Sequence, residues 1–197
     1  MGIEQQSLAE TLSFTSDVNE VENAINRLFP ERQIERILFI HPPDTPKGLF
    51  DFDTCKRRCY PHYPPYGLMV LASQARVAGV EAQIIDLNAV LFDGCIGAED
   101  EGGFDYDALV NDAITAVLDG FKPNLVAIGC MFSYSHYSFK AACEYVRACA
   151  PKTPILVGGV HITNSVASPV TAEIFFRDIK CADLISLYES DMSFRDL

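Results

Sequence analysis

The sequence predicts an α/β fold in which helices cover both faces of a parallel β-sheet. Short apolar runs alternate along the chain with longer segments that carry apolar residues at helical spacing. The apolar runs are continuous instead of alternating with polar residues, which is typical of strands buried on both faces. Together these patterns predict a doubly wound, flavodoxin-like (Rossmann-like) sheet of five strands in the order 2-1-3-4-5.

The predicted strands are short runs in which β-branched and aromatic residues are common. They are residues 36–41 (RILFIH), 81–86 (EAQIID), 125–131 (LVAIGCM), 154–159 (PILVGG) and 183–188 (DLISLY).

The predicted helices carry apolar residues three and four positions apart, and Gly or Pro follows most of them. They are residues 16–29, 68–75, 109–117, 135–149 and 168–178. Gly79 is expected at the position where a helix commonly ends in left-handed backbone. The two long segments between them, 42–67 and 87–108, are predicted as loops because Pro, Asp and Gly are frequent there.

Two regions are predicted along the chain. Residues 1–33 form an N-terminal arm with one amphipathic helix, and residues 34–197 form the α/β domain. Residues 189–197 (ESDMSFRDL) have the composition of the first turns of a further helix. Because the last strand of a parallel sheet is normally covered by a complete helix, we expect the N-terminal part of a longer protein or a module completed by a partner.

Composition excludes several classes of function. The 197 residues carry a formal net charge of -12, which disfavours nucleic acid and anionic membrane surfaces as partners. No apolar run approaches the roughly 20 residues of a membrane span, and the N-terminus (MGIEQQSLAE) has no secretion signal. The seven cysteines form no disulfide framework, so we expect reduced thiols and a cytoplasmic protein.

A ligand site is expected at the carboxyl ends of the strands, near the reversal of strand order. The loops there are HPPD (41–44), CMFSYSH (130–136), GGVHITN (158–164) and YESD (188–191). Small residues and hydroxyls at these positions suit a large, flat, mostly apolar ligand. A nicotinamide cofactor is disfavoured because no G-x-G-x-x-G follows the first strand, and no glycine-rich loop with Lys offers a phosphate site.

Two consecutive glycines, Gly158 and Gly159, follow the fourth strand. They are expected either to let a ligand lie against the backbone or to allow close packing of helix on strand. If the first holds, a leucine at position 159 would enter an open pocket and leave the stability of the fold nearly unchanged.

Four segments in order resemble one known family. They are PPYGLMVLASQARVAGVEAQIIDLN (64–88), PNLVAIGCMFSYSHYSFKAACEYVR (123–147), PILVGGVHITNSVASP (154–169) and ADLISLYESDMSF (182–194). This set is similar to the N-terminal cobalamin-binding domain of B12-dependent radical SAM enzymes, and the likeness covers about residues 35–197.

The resemblance implies a domain that binds cobalamin, with methylcobalamin as the form expected for methyl transfer or another radical conversion. The residues that match the family's cobalamin-contacting loops are Pro43, Ser133, Tyr134, Gly158, Gly159, His161 and Glu189. The 4Fe-4S cluster and S-adenosylmethionine would belong to a radical SAM barrel domain beyond residue 197, because no C-x-x-x-C-x-x-C motif occurs in this chain. Catalytic residues are therefore unassigned.

The chain departs from the family at two places. The last strand ends in Y-E-S-D, where the family often has G-E-G-E. The D-x-H-x-x-G loop that supplies a histidine below cobalt in other cobalamin domains is missing, so no protein imidazole is expected there.

Several alternatives remain open. A flavodoxin-like module could bind a flavin or another nucleotide, or the domain could be a ligand-free interaction module. Cys55, Cys59 and His62 have spacing that could hold a metal, although a solvated loop is the simpler interpretation. Ser, His and Asp are all present, but no G-x-S-x-G motif supports a hydrolase.

Overall fold

The structure is a computed structural model that describes residues 18–30 and 33–188. The chain divides into two compact units, Met1–Gln33 and Ile34–Leu197. In the first unit the described helix is α1 (Val18–Leu28). The start predicted for this helix at residue 16, and the partial helix predicted over 189–197, lie outside the described residues.

The second unit contains a five-stranded parallel sheet in the order β2-β1-β3-β4-β5. This order confirms the predicted fold class. The strands are β1 (Arg36–His41), β2 (Glu81–Asp86), β3 (Leu125–Gly129), β4 (Ile155–Gly158) and β5 (Leu184–Ser186). The helices are α2 (Phe52–Lys56), α3 (Tyr66–Val77), α4 (Leu87–Gly97), α5 (Tyr106–Phe121), α6 (His136–Cys149), α7 (Val160–Ser165) and α8 (Pro169–Asp178).

The main hydrophobic core lies on one face of the sheet. Alternate residues of the three central strands supply its floor: Leu38, Ile40, Val126, Ile128, Ile155 and Val157. Buried residues of α4, α5, α6 and α8 cover them, with Ile114 and Phe139 fully buried. The residues between these positions point to the opposite face, because successive side chains of a strand alternate between faces.

One predicted loop is a helix. Residues 87–97 form α4, whose first turn is capped by Asp86 through hydrogen bonds from the amides of Asn88 and Ala89. Gly94 suggested a loop, but it lies where α4 meets α5, and a Cβ there would be 2.5 Å from a methyl carbon of Leu109. The glycine therefore allows α4 and α5 to pack closely and does not mark a turn.

Other differences concern element ends. β3 stops at Gly129 and β5 at Ser186, so both strands are shorter than predicted. The short helices α2 and α7 occupy segments for which no separate helix was expected. Gly79 follows α3 with a φ of 84°, as predicted. Among the described residues, no helix combines the length and apolar character that crossing a membrane requires.

Candidate functional site

A groove of about 700 Å³ opens at the carboxyl ends of the strands. One wall is the segment 63–71, which leads into α3 and includes its first turn and a half. The floor consists of the ends of β3 and β4 with the loop residues Cys130, Met131 and Phe132, and Ser186 and Tyr188 close one end. This is the edge at which doubly wound sheets bind ligands, because the strand order reverses between β1 and β3.

The groove exists because three of the four residues on one face at the ends of two neighbouring strands are Ala or Gly. Ala127 and Gly129 of β3 lie beside Leu156 and Gly158 of β4, and Gly129 pairs directly with Gly158. All four line the groove. Larger side chains at the paired glycines would fill the space, so the opening above the sheet follows directly from the residue types and the strand register.

Gly159 is required by the backbone itself. Its φ of 116° and ψ of 171° lie in a region that is essentially restricted to glycine. A Cβ at this position would be 2.4 Å from the carbonyl oxygen of Cys130, which accepts a hydrogen bond from the amide of His161 at 3.2 Å. The expectation that a leucine at position 159 enters an open pocket without loss of stability is therefore wrong.

The polar edge of the groove is formed by His41 and Asp44, after β1. Nε2 of His41 lies 3.5 Å from Oδ1 of Asp44. Nδ1 lies 3.4 Å from Oδ1 of Asp86, an ion-pair contact without hydrogen-bond geometry. Burial opposes the charged form of His41, but the two carboxylates outweigh it and raise the pKa of His41 to about 9. His41 is therefore a cation at neutral pH.

Asp86 joins this edge to the wall segment. Its Oδ2 lies 2.9 Å from Nε2 of His62, and its Oδ1 caps α4. Burial favours the neutral acid, but the contacts with His41 and His62 outweigh it and lower the pKa of Asp86 to about 2. The carboxylate of Asp86 thus contacts two imidazoles and caps the N-terminus of α4.

Hydrogen bonds also fix the loop after β1. The amide of Asp44 donates to the side-chain oxygen of Asn88 at 2.7 Å, and the hydroxyl of Ser135 donates to the carbonyl of Asp44 at 3.0 Å. Asn88 and Ser135 are both buried. These hydrogen bonds therefore fix Asp44, at the polar edge of the groove, to α4 and to the turn before α6.

Cys130 lies in the floor of the groove. Burial raises the pKa of its thiol to about 12. A neutral thiol is a poor nucleophile and a poor metal ligand. The side chain therefore contributes a small, weakly polar surface.

The structure separates the residues that the resemblance assigned to one pocket. Gly158 and Gly159 line the groove, whereas Ser133 and His161 line a second cavity of about 510 Å³. Tyr134 is 55% exposed and stacks on Phe132, with ring centroids 5.3 Å apart. Pro43 is buried and lines neither cavity, and Glu189 lies outside the described residues.

The wall segment was not identified from the sequence. Its groove-lining residues are Tyr63, Pro64, Pro65, Tyr66, Gly67, Leu68, Val70 and Leu71. They directly precede and begin α3, a long way along the chain from β3 and β4. The run of aromatic residues and prolines before an amphipathic helix was the signal that could have identified them.

The residues with metal-like spacing lie in different surroundings and do not converge on one point. Cys55 is buried against Phe52 and Cys95, Cys59 is exposed, and His62 contacts Asp86. Over residues 18–30 and 33–188, no three or more His, Cys, Asp or Glu side chains converge in a way that could hold a metal ion.

The four histidines of the sequence all have ring partners. His41 and His62 contact carboxylates, and His136 contacts both Asp178 and His161. His161 is engaged at both ring nitrogens, by His136 at 2.9 Å and by Ser133 at 3.1 Å. No imidazole therefore points unpartnered into the groove from the described residues.

The groove combines three properties: a position at the strand-order reversal, a predominantly apolar lining, and a charged edge formed by His41 and Asp44. Such a site suits a ligand that is largely apolar and reaches the protein mainly through backbone contacts. The sequence matches no model of a known protein family and no curated protein, so the function is inferred from the geometry of this groove.

Proposed function

We propose that this chain is the cobalamin-binding domain of a B12-dependent radical SAM enzyme. The observation that carries the proposal is the apolar groove at the carboxyl ends of β1, β3, β4 and β5, opened by the paired glycines Gly129 and Gly158. The resemblance of four chain segments to that family supports the same assignment. Bound methylcobalamin supplies a methyl group that the holoenzyme can transfer.

The residues present fit part of a corrinoid. A cavity of about 700 Å³ is the size that holds a drug-sized molecule, which suits the nucleotide tail but not the whole cofactor. The tail would lie over Ala127, Gly129 and Gly158, and the ring would remain at the mouth. The strand ends also bring backbone groups to the floor of the groove.

In this proposal the iron–sulfur cluster and S-adenosylmethionine are held by a barrel domain outside residues 1–197. That domain would be the main protein partner. We also infer a reducing, cytoplasmic setting, since each of the seven cysteines is a free thiol.

A charged residue in the wall of the groove is expected to weaken cobalamin binding. Leu68 lines the groove beside Gly129, and a carboxylate there would be desolvated by the ligand without a partner. We expect Leu68→Glu to weaken the binding of cobalamin at least about tenfold, or about 1.4 kcal/mol. Titration followed by the absorbance of cobalamin measures this change.

The control for Leu68→Glu is Met69→Glu. Met69 is the next residue of α3, is 47% exposed, and does not line the groove. It should bind cobalamin as the unmodified protein does. Equal binding by all three proteins would show that the cofactor does not enter this groove, and no binding by the unmodified protein would refute the assignment.

No histidine of this chain is expected to coordinate cobalt, because the chain lacks the D-x-H-x-x-G loop that supplies this ligand in other cobalamin domains. Both ring nitrogens of His161 are hydrogen-bonded, and His41 lies between the carboxylates of Asp44 and Asp86, so releasing either ring would break those contacts. Electron paramagnetic resonance of protein-bound cob(II)alamin should show no splitting that changes from triplet to doublet when the protein is labelled with ¹⁵N. A change on labelling, lost in His161→Ala or His41→Ala, would identify a protein ligand and contradict the prediction.

A flavin is the second candidate ligand. Tyr63 and Tyr66 line the groove and are 66% and 77% exposed, so two aromatic rings are available to stack on a flat ring system at its mouth. The absorbance spectrum of protein incubated with either cofactor separates the two assignments. A protein that retains neither would favour a ligand-free interaction module.

A further inference from the structure

The second cavity, of about 510 Å³, lies beside the groove and is formed by α6, α7, α8 and the turn before α6. Four polar side chains that line it form one connected array: Ser133, His161, His136 and Asp178. The groove does not use this array, since none of the four residues lines it.

The array is continuous over its three links. Oγ of Ser133 lies 3.1 Å from Nδ1 of His161. Nε2 of His161 lies 2.9 Å from Nδ1 of His136, and Nε2 of His136 lies 2.7 Å from Oδ2 of Asp178. Ser165 is a weaker competitor for His161, because its hydroxyl is 3.5 Å from Nδ1 and donates to the His161 carbonyl at 2.8 Å.

One assignment of protons satisfies the array with both rings neutral. The carboxylate of Asp178 can only accept, so Nε2 of His136 donates to it. Nδ1 of His136 then accepts from Nε2 of His161. Nδ1 of His161 is left as the acceptor for the hydroxyl proton of Ser133. The direction of these bonds places a basic nitrogen against a serine hydroxyl.

The charges around the array favour this state. The Lys140 ammonium is ion-paired with the other oxygen of Asp178. That hydrogen bond, followed by the one from His136, lowers the pKa of Asp178 and keeps it ionised. Burial lowers the pKa of His161, so its ring is neutral at neutral pH.

The fold presents Ser133 at the end of a strand–turn–helix unit. β3 ends at Gly129, and Ser133 begins the short 3₁₀ turn that leads directly into α6. Ser133 is exposed, whereas His161 is 9% exposed and reaches it from the neighbouring strand's exit. Amides at the start of a helical segment lack intrahelical partners and can stabilise a developing oxyanion.

We propose that Ser133 is a nucleophile and His161 its general base, with His136 and Asp178 as positioning residues, in a site that hydrolyses short acyl esters. The sequence lacks the G-x-S-x-G motif, but such an array is recognised by geometry and not by sequence position. Ile174 and Phe175 give the cavity an apolar wall beside Ser133, which suits a small apolar acyl group.

The reaction balances with an ester and water alone. Oγ of Ser133 forms a bond to the acyl carbon as its proton passes to Nδ1 of His161. The bond from the acyl carbon to the leaving oxygen then breaks, and His161 returns the proton to the leaving alcohol. Water attacks the acyl–serine in the same way, which releases the carboxylic acid and restores Ser133.

A fluorophosphonate probe tests the nucleophile directly. We expect the protein, without cobalamin, to be labelled on the peptide that contains Ser133. Ser133→Ala should lose the label, and Ser73→Ala, which changes an exposed serine of α3 outside the cavity, should keep it. Hydrolysis of 4-nitrophenyl acetate should fall about 100-fold in Ser133→Ala, the scale at which general-base catalysis contributes.

Absence of labelling in the folded protein, or a label that survives Ser133→Ala, would overturn the proposal. A second variant, Ser133→Cys, keeps a nucleophile in place. We expect iodoacetamide to alkylate the introduced thiol faster at neutral pH than the exposed Cys149 of the same chain, because His161 deprotonates it. A rate no higher than that of Cys149 would show that His161 is not a base for this position.

A separate measurement tests the positioning residues His136 and Asp178. Asp178→Asn should lower kcat for 4-nitrophenyl acetate and leave KM unchanged, because an amide can hold His136 in the wrong tautomer without altering the cavity. Asp178→Glu should recover part of kcat. Unchanged kcat in Asp178→Asn would remove His136 and Asp178 from the proposal.

Discussion

Gly159→Ala is expected to cost at least about 3 kcal/mol of unfolding free energy, since both a glycine-only conformation and a backbone collision oppose the methyl group. The φ of 116° is strained for any L side chain, and the new Cβ would lie 2.4 Å from the carbonyl oxygen of Cys130. That oxygen is held in place by the amide of His161. For a domain of this size the loss corresponds to a melting temperature lower by roughly 10 °C.

The matched control is Gly120→Ala. Gly120 lies in the last turn of α5, has no positive φ, and would place a Cβ in open space. Replacing a helical glycine of this kind is expected to raise stability by about 0.5–1 kcal/mol. Calorimetry of both variants measures the difference. If Gly159→Ala has the same melting temperature as the unmodified protein, the carbonyl of Cys130 does not approach position 159 as closely as the structure shows.

The surroundings of the two consecutive glycines show that each has a different cause. Gly159 has a sufficient cause within the fold, whereas Gly158 keeps the groove open and would place a Cβ 3.3 Å from the carbonyl oxygen of Ser186. The conformation of Gly159 is therefore explained without a ligand, and the proposal of cobalamin binding depends on the groove that Gly158 keeps open.

The sheet could be predicted because its signals are local. The central strands β1, β3 and β4 each contain a continuous apolar run. The register that pairs Gly129 with Gly158 is seen in the structure, because parallel pairing alone does not fix it. The helix α4 could not be predicted in this way. Gly94 and Gly97 lower the apparent helix propensity there, and the reason for Gly94 is a side chain fifteen positions later, Leu109.

The position of the site could be predicted from the sequence, but the residues that line it could not. Parallel strands bring their carboxyl ends to one edge, so the four loops were expected to meet. Which side of the sheet each residue faces depends on loop conformation. His161 turns away from Gly159 to meet His136, and Leu68 reaches Gly129 from a helix about 60 positions earlier, a separation no local pattern encodes.

Asp86→Ala is expected to destabilise the protein by about 3 kcal/mol at neutral pH, the scale of removing one partner from a largely buried ion pair. The substitution removes the cap of α4 and leaves His41 with Asp44 as its remaining carboxylate contact. Asp105→Ala is the control, because Asp105 caps α5 in the same way but is exposed and has no imidazole partner. Loss of a cap alone should cost about 1 kcal/mol. Urea unfolding of both variants measures the two values.

The pH dependence of the difference tests the contribution of the charged His41. Its pKa of about 9 in the fold lies above the ordinary value of 6.5, so its contribution is fully present below pH 6.5 and is lost as the pH rises through 9. Asp86, with a pKa of about 2, contributes above its ordinary value of 3.8 and loses that contribution as the pH falls through 2. The difference in unfolding free energy between the unmodified protein and Asp86→Ala should therefore become smaller between pH 6.5 and 9. The corresponding difference for Asp105→Ala should stay constant. Parallel stability curves for all three proteins over that range would show that the ion pair between His41 and Asp86 contributes nothing to stability.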